Sequence, residues 1–150
     1  MAKKSTWDLE DWILLFGGIW LIGQVFKTAQ KAGIGTLPQA LRKLHPYINR
    51  DGIRVFDNEL KKLSVKEQGE VIRLIIEARL KPTLQLPLFR IIRKRKNIDG
   101  EFRRGQWRIL VKSLPNGDYI MLNFFKKQTN DRPEEEYIKA EKRGFDAMEP

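Results

Sequence analysis

The chain has 150 residues, 41% of them hydrophobic, enough to bury one modest core, so a single domain with an extension is the natural organisation. Lysine and arginine number 29 against 19 aspartate and glutamate, and the formal net charge of +10 favours a polyanionic partner, either nucleic acid or an acidic membrane surface. The absence of cysteine excludes a disulfide framework and a thiolate metal site, and a structural zinc with them; it is compatible with a reducing cytoplasm.

The first apolar run, Trp12 to Phe26 (WILLFGGIWLIGQVF), has Gln24 as its one polar residue. As a helix it would span about 22 Å, short of the ~30 Å hydrocarbon core of a bilayer. A packed or interface helix is therefore the first expectation and a membrane anchor the second. If the run inserted, Asp8, Glu10 and Asp11 before it and Lys27 and Lys31 after it would leave the rest of the chain in the cytoplasm. A secretion signal ranks third, because acidic residues separate Lys3 and Lys4 from the apolar run. From Ala32 to Asn49, glycines and prolines surround a helical TLPQALRKL, which reads as a linker with one short helix. Residues 1–50 thus form an extension and 51–150 the main domain.

Gly52 to Phe56 is a short strand candidate, followed by a brief helix capped by Asp57 or Asn58 and carrying Leu60 and Leu63. Ser64-Val65-Lys66-Glu67 is a capping box, and Val71, Leu74, Ile75 and Ala78 lie at the spacing of one buried helical stripe. Pro82 and Pro87 bracket an extended crossing. Phe89 to Lys96 is expected to pair with Phe102 to Ser113 through an Asp-Gly turn at Asn97 to Gly100. Along the second of these strands Trp107, Ile109 and Val111 point one way, and Arg108, Leu110 and Lys112 the other. Pro115-Asn116-Gly117 turns the chain into Asp118 to Lys127, an apolar strand that ends on two lysines facing opposite ways. A helix from about Arg132 to Arg143 follows, capped by Asn130 or Asp131. Pro133 stands in its first turn, acids at its positive end, and Lys142 and Arg143 near its negative end. Helices ahead of a three-strand meander would cover one face of the sheet and leave the other for a ligand.

The succession QWRILV, hairpin, FFKK, polar spacer, proline and RPEEEYIKA resembles the RelE/HigB superfamily, in particular its phage-derived HigB-like toxins. VFDNELKKLSVKEQGEVIRLIIEARL is similar to that family's opening strand and helical hairpin, and LPLFRIIRKRK stands where its next strand lies. The likeness runs from roughly Asp51 to Gly144, and FFKKQTNDRP is its most specific part. The tyrosine-glutamate-leucine-arginine segment of many members is replaced here by the more basic FRIIRKRKNIDGEFRRGQ. The resemblance implies an α+β, RelE-like fold, with a helical hairpin packed on a small, mainly antiparallel sheet, a C-terminal helix and, in this chain, an extra N-terminal hydrophobic helix. It also implies the toxin of a type II toxin-antitoxin pair, a cytoplasmic endoribonuclease that cuts mRNA without metal or other cofactor, usually on the ribosome, and is neutralised by a protein antitoxin. Carried over residue by residue, Arg108 matches the strand arginine and Lys126 and Lys127 the paired lysines of the signature.

RNA cleavage needs a base for the 2′-hydroxyl proton, cations for the pentavalent transition state and an acid for the departing 5′-oxygen. With His45 the only histidine, a two-histidine mechanism is impossible, and clustered lysine and arginine must serve instead. Arg90, Arg93, Lys94, Arg95, Lys96, Arg103, Arg104 and Lys112 are candidates for RNA binding, with Arg90 and Arg93 near the family's earlier-strand arginine. Tyr119 is a candidate for stacking on a base or protonating a leaving group, against ordinary packing on a core strand, and Tyr137 is similar. Each cation also has a plainer role: Lys126 and Lys127 as a solvated strand end, Arg108 as the partner of a carboxylate such as Glu101, and the Arg90-to-Lys96 run as a phosphate-tracking surface. The competing function is a non-catalytic RNA-binding or membrane-associated regulator on the same fold.

Overall fold

The computed structural model describes residues 42–128, 133–147 and 149. The apolar run Trp12–Phe26, the helix expected in TLPQALRKL and the caps expected at Asn130 or Asp131 lie outside the described residues. Among the described residues the chain is α+β, with a five-stranded mixed sheet and three helices. In chain order these are β1 (Leu44–Pro46), α1 (Val55–Lys61), α2 (Val65–Leu80), β2 (Phe89–Ile91), β3 (Gly100–Arg104), β4 (Trp107–Ser113), β5 (Tyr119–Lys126) and α3 (Glu134–Asp146). The sheet runs β1-β5-β4-β3-β2, with β1 parallel to β5 and every other pair antiparallel.

The helices form for local reasons. Ser64 caps α2 by accepting the Glu67 backbone N–H at 3.2 Å, and its hydroxyl donates in turn to the Glu67 carboxylate at 3.2 Å. Only half of the expected box forms, since the glutamate meets the serine hydroxyl rather than its backbone. Val71, Leu74, Ile75 and Ala78 are fully buried, as their spacing requires. The far end of α2 is closed by Arg42, whose guanidinium donates to the carbonyls of Ala78 and Lys81 at 2.5 and 2.7 Å. In α3, Tyr137, Ala140 and Gly144 form the buried face and Glu134, Glu135 and Glu136 fill the first turn.

Three expectations about strands need correction. Gly52–Phe56 is not a strand: Gly52 adopts φ 76°, the Asn49 side chain accepts the Ile53 N–H at 2.9 Å, and the chain turns directly into α1. The strand beside β5 is Leu44–Pro46 instead, in the stretch read as linker, and its ladder continues through Tyr47 N–H to Met121 at 2.9 Å. Second, β2 stops at Ile91, and residues 92–99 form a loop rather than a longer strand. Third, Phe102–Ser113 is two strands joined at Gly105-Gln106, where Gly105 has φ 55°, so the meander has four strands. The Pro115–Gly117 turn forms as expected, with Gly117 at φ 91° and Leu114 donating to Asp118 at 2.8 Å.

Alternation along β4 and β5 sorts the two faces. Trp107 and Phe124 meet α1 and α2: the Trp107 indole donates to Glu70 at 2.6 Å, and Phe124 packs edge-on to Phe56 at 5.3 Å. Arg108, Leu110, Asn123 and Phe125 lie on the opposite face, where Asn123 bonds Glu136 of α3 and Phe125 packs on Tyr137. That face is therefore not wholly open, as one-sided packing would have left it, because α3 covers its β4–β5 half. The end of β3 and the start of β4 extend past the helix.

Candidate functional site

Beyond the edge of α3 lies a cavity of about 330 Å³, lined by Arg90, Glu101, Arg103, Arg108, Lys127, Pro133 and Tyr137. Register explains the gathering. Arg90 stands opposite Glu101 across β2–β3, and Arg103 opposite Arg108 across β3–β4, so all four side chains share the face that α3 partly covers. Lys127 follows the last residue of β5, held by its N–H to the Gln106 carbonyl at 2.7 Å, and Pro133 and Tyr137 bring the start of α3 to the opposite wall.

Glu101 organises this floor. Only 3% exposed, its carboxylate meets Arg90 at 2.9 Å and Arg108 at 3.6 Å and accepts the Tyr137 hydroxyl at 3.4 Å. Arg108 also donates to the carbonyls of Gly105 and Trp107 at 2.7 and 2.8 Å, which fixes its fork. Burial, and then the neighbouring Arg103 cation, lower the Arg108 pKa from its usual value. An arginine starts so far above neutrality that it stays charged. The lining thus sets four cations against one carboxylate, with Lys127 and Arg103 less enclosed than Arg108. Such an excess of fixed donors suits a phosphodiester or another small anionic group.

The other candidates fall elsewhere. Lys126 points to the opposite face, its ammonium 5.9 Å from the centre of the Trp107 ring. Arg104 pairs with Glu77 of α2 on that same face. Tyr119 packs there against Phe89 and Phe102, and burial pushes its phenol above the ordinary range. Arg95 is committed to α3, paired with Glu134 and, at 2.8 Å, with Glu141, while its guanidinium lies 4.9 Å from the Tyr137 ring centre. Those two carboxylates, Glu134 first, raise its pKa. Lys112 donates to the Gly144 carbonyl at 2.9 Å, in the last turn of α3. Arg93 and Lys94 line a neighbouring hollow of about 450 Å³ that shares Arg90 and Tyr137 with the cavity, and Lys96 is exposed beyond it. His45, away from the site, is 3.3 Å from Asp118.

Two organising residues carried little signal. Glu101 was visible only as a possible partner for Arg108, and its position between Arg90 and Arg108 required the strand register. Tyr137 is recoverable from the helical spacing of Tyr137, Ala140 and Gly144, which marks the buried side of α3.

The fold and site define a small α+β protein with a cation-lined cavity at the open end of its sheet. The chain belongs to the family described as phage derived protein Gp49-like, whose model matches residues 58–144. That family is of the RelE/Gp49 toxin type and is associated with the toxins of toxin-antitoxin systems, which points to an antitoxin as partner. A comparison with curated proteins returned no match. Among the described residues, no helix is long and apolar enough to cross a membrane.

Proposed function

We propose that the chain is the toxin of a type II toxin-antitoxin pair, of the HigB-like branch with a RelE-like arrangement, and that it cleaves mRNA at the Arg108 cavity without a metal, in the cytoplasm and on the ribosome. The observation that carries this reading is the convergence of Arg90, Arg103, Arg108 and Lys127 on one cavity. In the reaction the 2′-hydroxyl gives up its proton to solvent water as its oxygen attacks phosphorus, and the P–O5′ bond breaks, leaving a 2′,3′-cyclic phosphate and a 5′-hydroxyl. Arg103 and Arg108 hold the non-bridging oxygens, whose negative charge grows in the transition state. Lys127, on a long side chain at the cavity wall, stands by the leaving oxygen and supplies its proton. Lys126, over Trp107, takes no part in the chemistry. A protein antitoxin that covers the cavity with carboxylates would silence it.

One observation favours a second reading, a non-catalytic RNA-binding regulator: Glu101 already engages Arg90 and Arg108. Induction in a bacterial host with primer extension on a reporter mRNA separates the two. Wild type is expected to arrest growth and produce new RNA ends. Lys127→Ala should lower cleavage roughly 100- to 10,000-fold, the usual contribution of a general acid, while Lys126→Ala stays near wild type. Absence of new ends, or equal loss in both variants, would sink the catalytic assignment.

A further inference from the structure

A second concavity, about 560 Å³, opens on the other side of Arg103 and Arg108 and shares both residues with the candidate site. Its far wall is built from Lys81, just past the end of α2, and from Leu86-Pro87-Leu88, while Glu77 and Arg104 face each other as an ion pair. Leu86 is 60% exposed and is followed directly by Pro87, which is also exposed. Its size is within the ~300–1,000 Å³ typical of small-ligand sites. With Glu77 and Arg104 neutralising each other and Arg108 held by Glu101, Lys81 and Arg103 are the cations left to a ligand beside an apolar platform.

We propose that this concavity is a flanking-nucleotide subsite: an unpaired base of single-stranded RNA rests on Leu86 and Pro87, and the phosphate joining it to the reacting nucleotide lies between Arg103 and Lys81. Proteins hold single strands by seating bases on side-chain platforms, usually aromatic, beside a cationic track; here aliphatic Leu86 and Pro87 would supply a hydrophobic contact in place of π-stacking. The inference rests on the reading that the Arg108 cavity takes RNA. It adds that the minimal tight-binding ligand reaches beyond the two nucleotides flanking the cleaved bond, and that the strand crosses the β3–β4 turn. An acidic protein segment is the competing occupant, but a glutamate side chain has no use for the Leu86 platform.

The test is fluorescence anisotropy on the full chain with 2′-O-methyl oligonucleotides, which lack the attacking hydroxyl and cannot be cleaved, at two and four nucleotides and several salt concentrations. Wild type is expected to bind the tetranucleotide roughly tenfold more tightly than the dinucleotide. Leu86→Ala and Lys81→Ala, both at exposed positions, should each remove most of that gain and leave dinucleotide binding as in wild type. Lys81→Ala alone should also reduce the salt slope, by about 0.7 for one phosphate contact on a single strand. A length increment that both variants retain would overturn the subsite. So would loss in the variants of binding to a glutamate-rich peptide, with RNA binding unchanged. Failure of wild type to bind either oligonucleotide would instead refute the RNA reading beneath it.

Discussion

Replacing Glu101 by glutamine keeps the shape of the side chain and removes the one negative charge in the cavity floor. Arg108, 8% exposed, then faces Arg90 and Arg103 with no counter-charge. Removing one partner of a buried ion pair typically costs about 3–5 kcal/mol. The Arg90 side chain is 39% exposed, so water screens its share, which lowers the expected loss for Glu101→Gln to about 2–3 kcal/mol. For a chain of this size, roughly 2–4 °C per kcal/mol converts that to a fall in melting temperature of about 4–12 °C. The phosphate attraction of the cavity should meanwhile rise, since its net charge grows by one. Scanning calorimetry on the full chain, paired with oligonucleotide affinity at low salt below the unfolding transition, separates the two effects. A melting temperature within about 1 °C of wild type would refute the reasoning, because the carboxylate would then be solvated enough for the arginines not to depend on it.

Gly144→Ala tests how tightly α3 seats on the 92–99 loop. An added Cβ would lie 2.2 Å from the Asn97 carbonyl oxygen and 2.8 Å from its Cβ, and Asn97 is already at φ 64°. Overpacking of about 1–3 kcal/mol should exceed the ~1 kcal/mol or less that alanine gains in a last helical turn, so the urea midpoint should fall; a rise would contradict the packing described. Asp118 ties β1 to the β4–β5 turn by accepting the Lys43 N–H at 2.8 Å and meeting His45. Burial pushes its carboxyl up, but the Lys43 hydrogen bond and His45 outweigh that, and its pKa lies below the ordinary 3.8. A carboxylate depressed on folding contributes stability in full above its unfolded pKa and loses it as pH falls through the folded one. Asp118→Asn should therefore lower the urea midpoint at pH 6 and show a shallower further decline than wild type below about pH 4. Parallel curves for the two proteins would show that this group does not link folding to protons.

What could be read from the sequence was what local rules determine. The α2 stripe, the Ser64 cap, the Pro115–Gly117 turn, the acid-loaded first turn of α3 and the opposite directions of Lys126 and Lys127 all follow from spacing or backbone preference within a few residues. Leu44–Pro46 is a strand because β5 offers it a partner, and three residues carry no periodicity of their own. The turn at Gly105 lay inside an unbroken succession of strand-compatible residues, and without Asn-Gly or Asp-Gly its only mark was the glycine. The site divides in the same way. Arg108 and Lys127 belong to a recognisable motif and Arg90 stood among the basic candidates, whereas the place of Glu101 between Arg90 and Arg108 emerges only once β2 and β3 are in register.

The basic stretch from Arg90 to Lys112 looked uniform, and the structure divides its labour. Strand parity sends Arg104 to Glu77, and helix packing claims Arg95 and Lys112 as anchors for the two ends of α3. Those anchors seat Tyr137 over Glu101, and Glu101 in turn holds Arg90 and Arg108 on the cavity floor. Lysine and arginine that never face the cavity thus set the position of those that do. It follows that Arg95→Ala should weaken oligonucleotide binding by more than one lost surface charge, with the excess appearing as reduced helix protection in hydrogen exchange at Tyr137 and Ile138. A loss that high salt abolishes entirely, with exchange at α3 unchanged, would mean that Arg95 acts on the ligand directly and not through the helix.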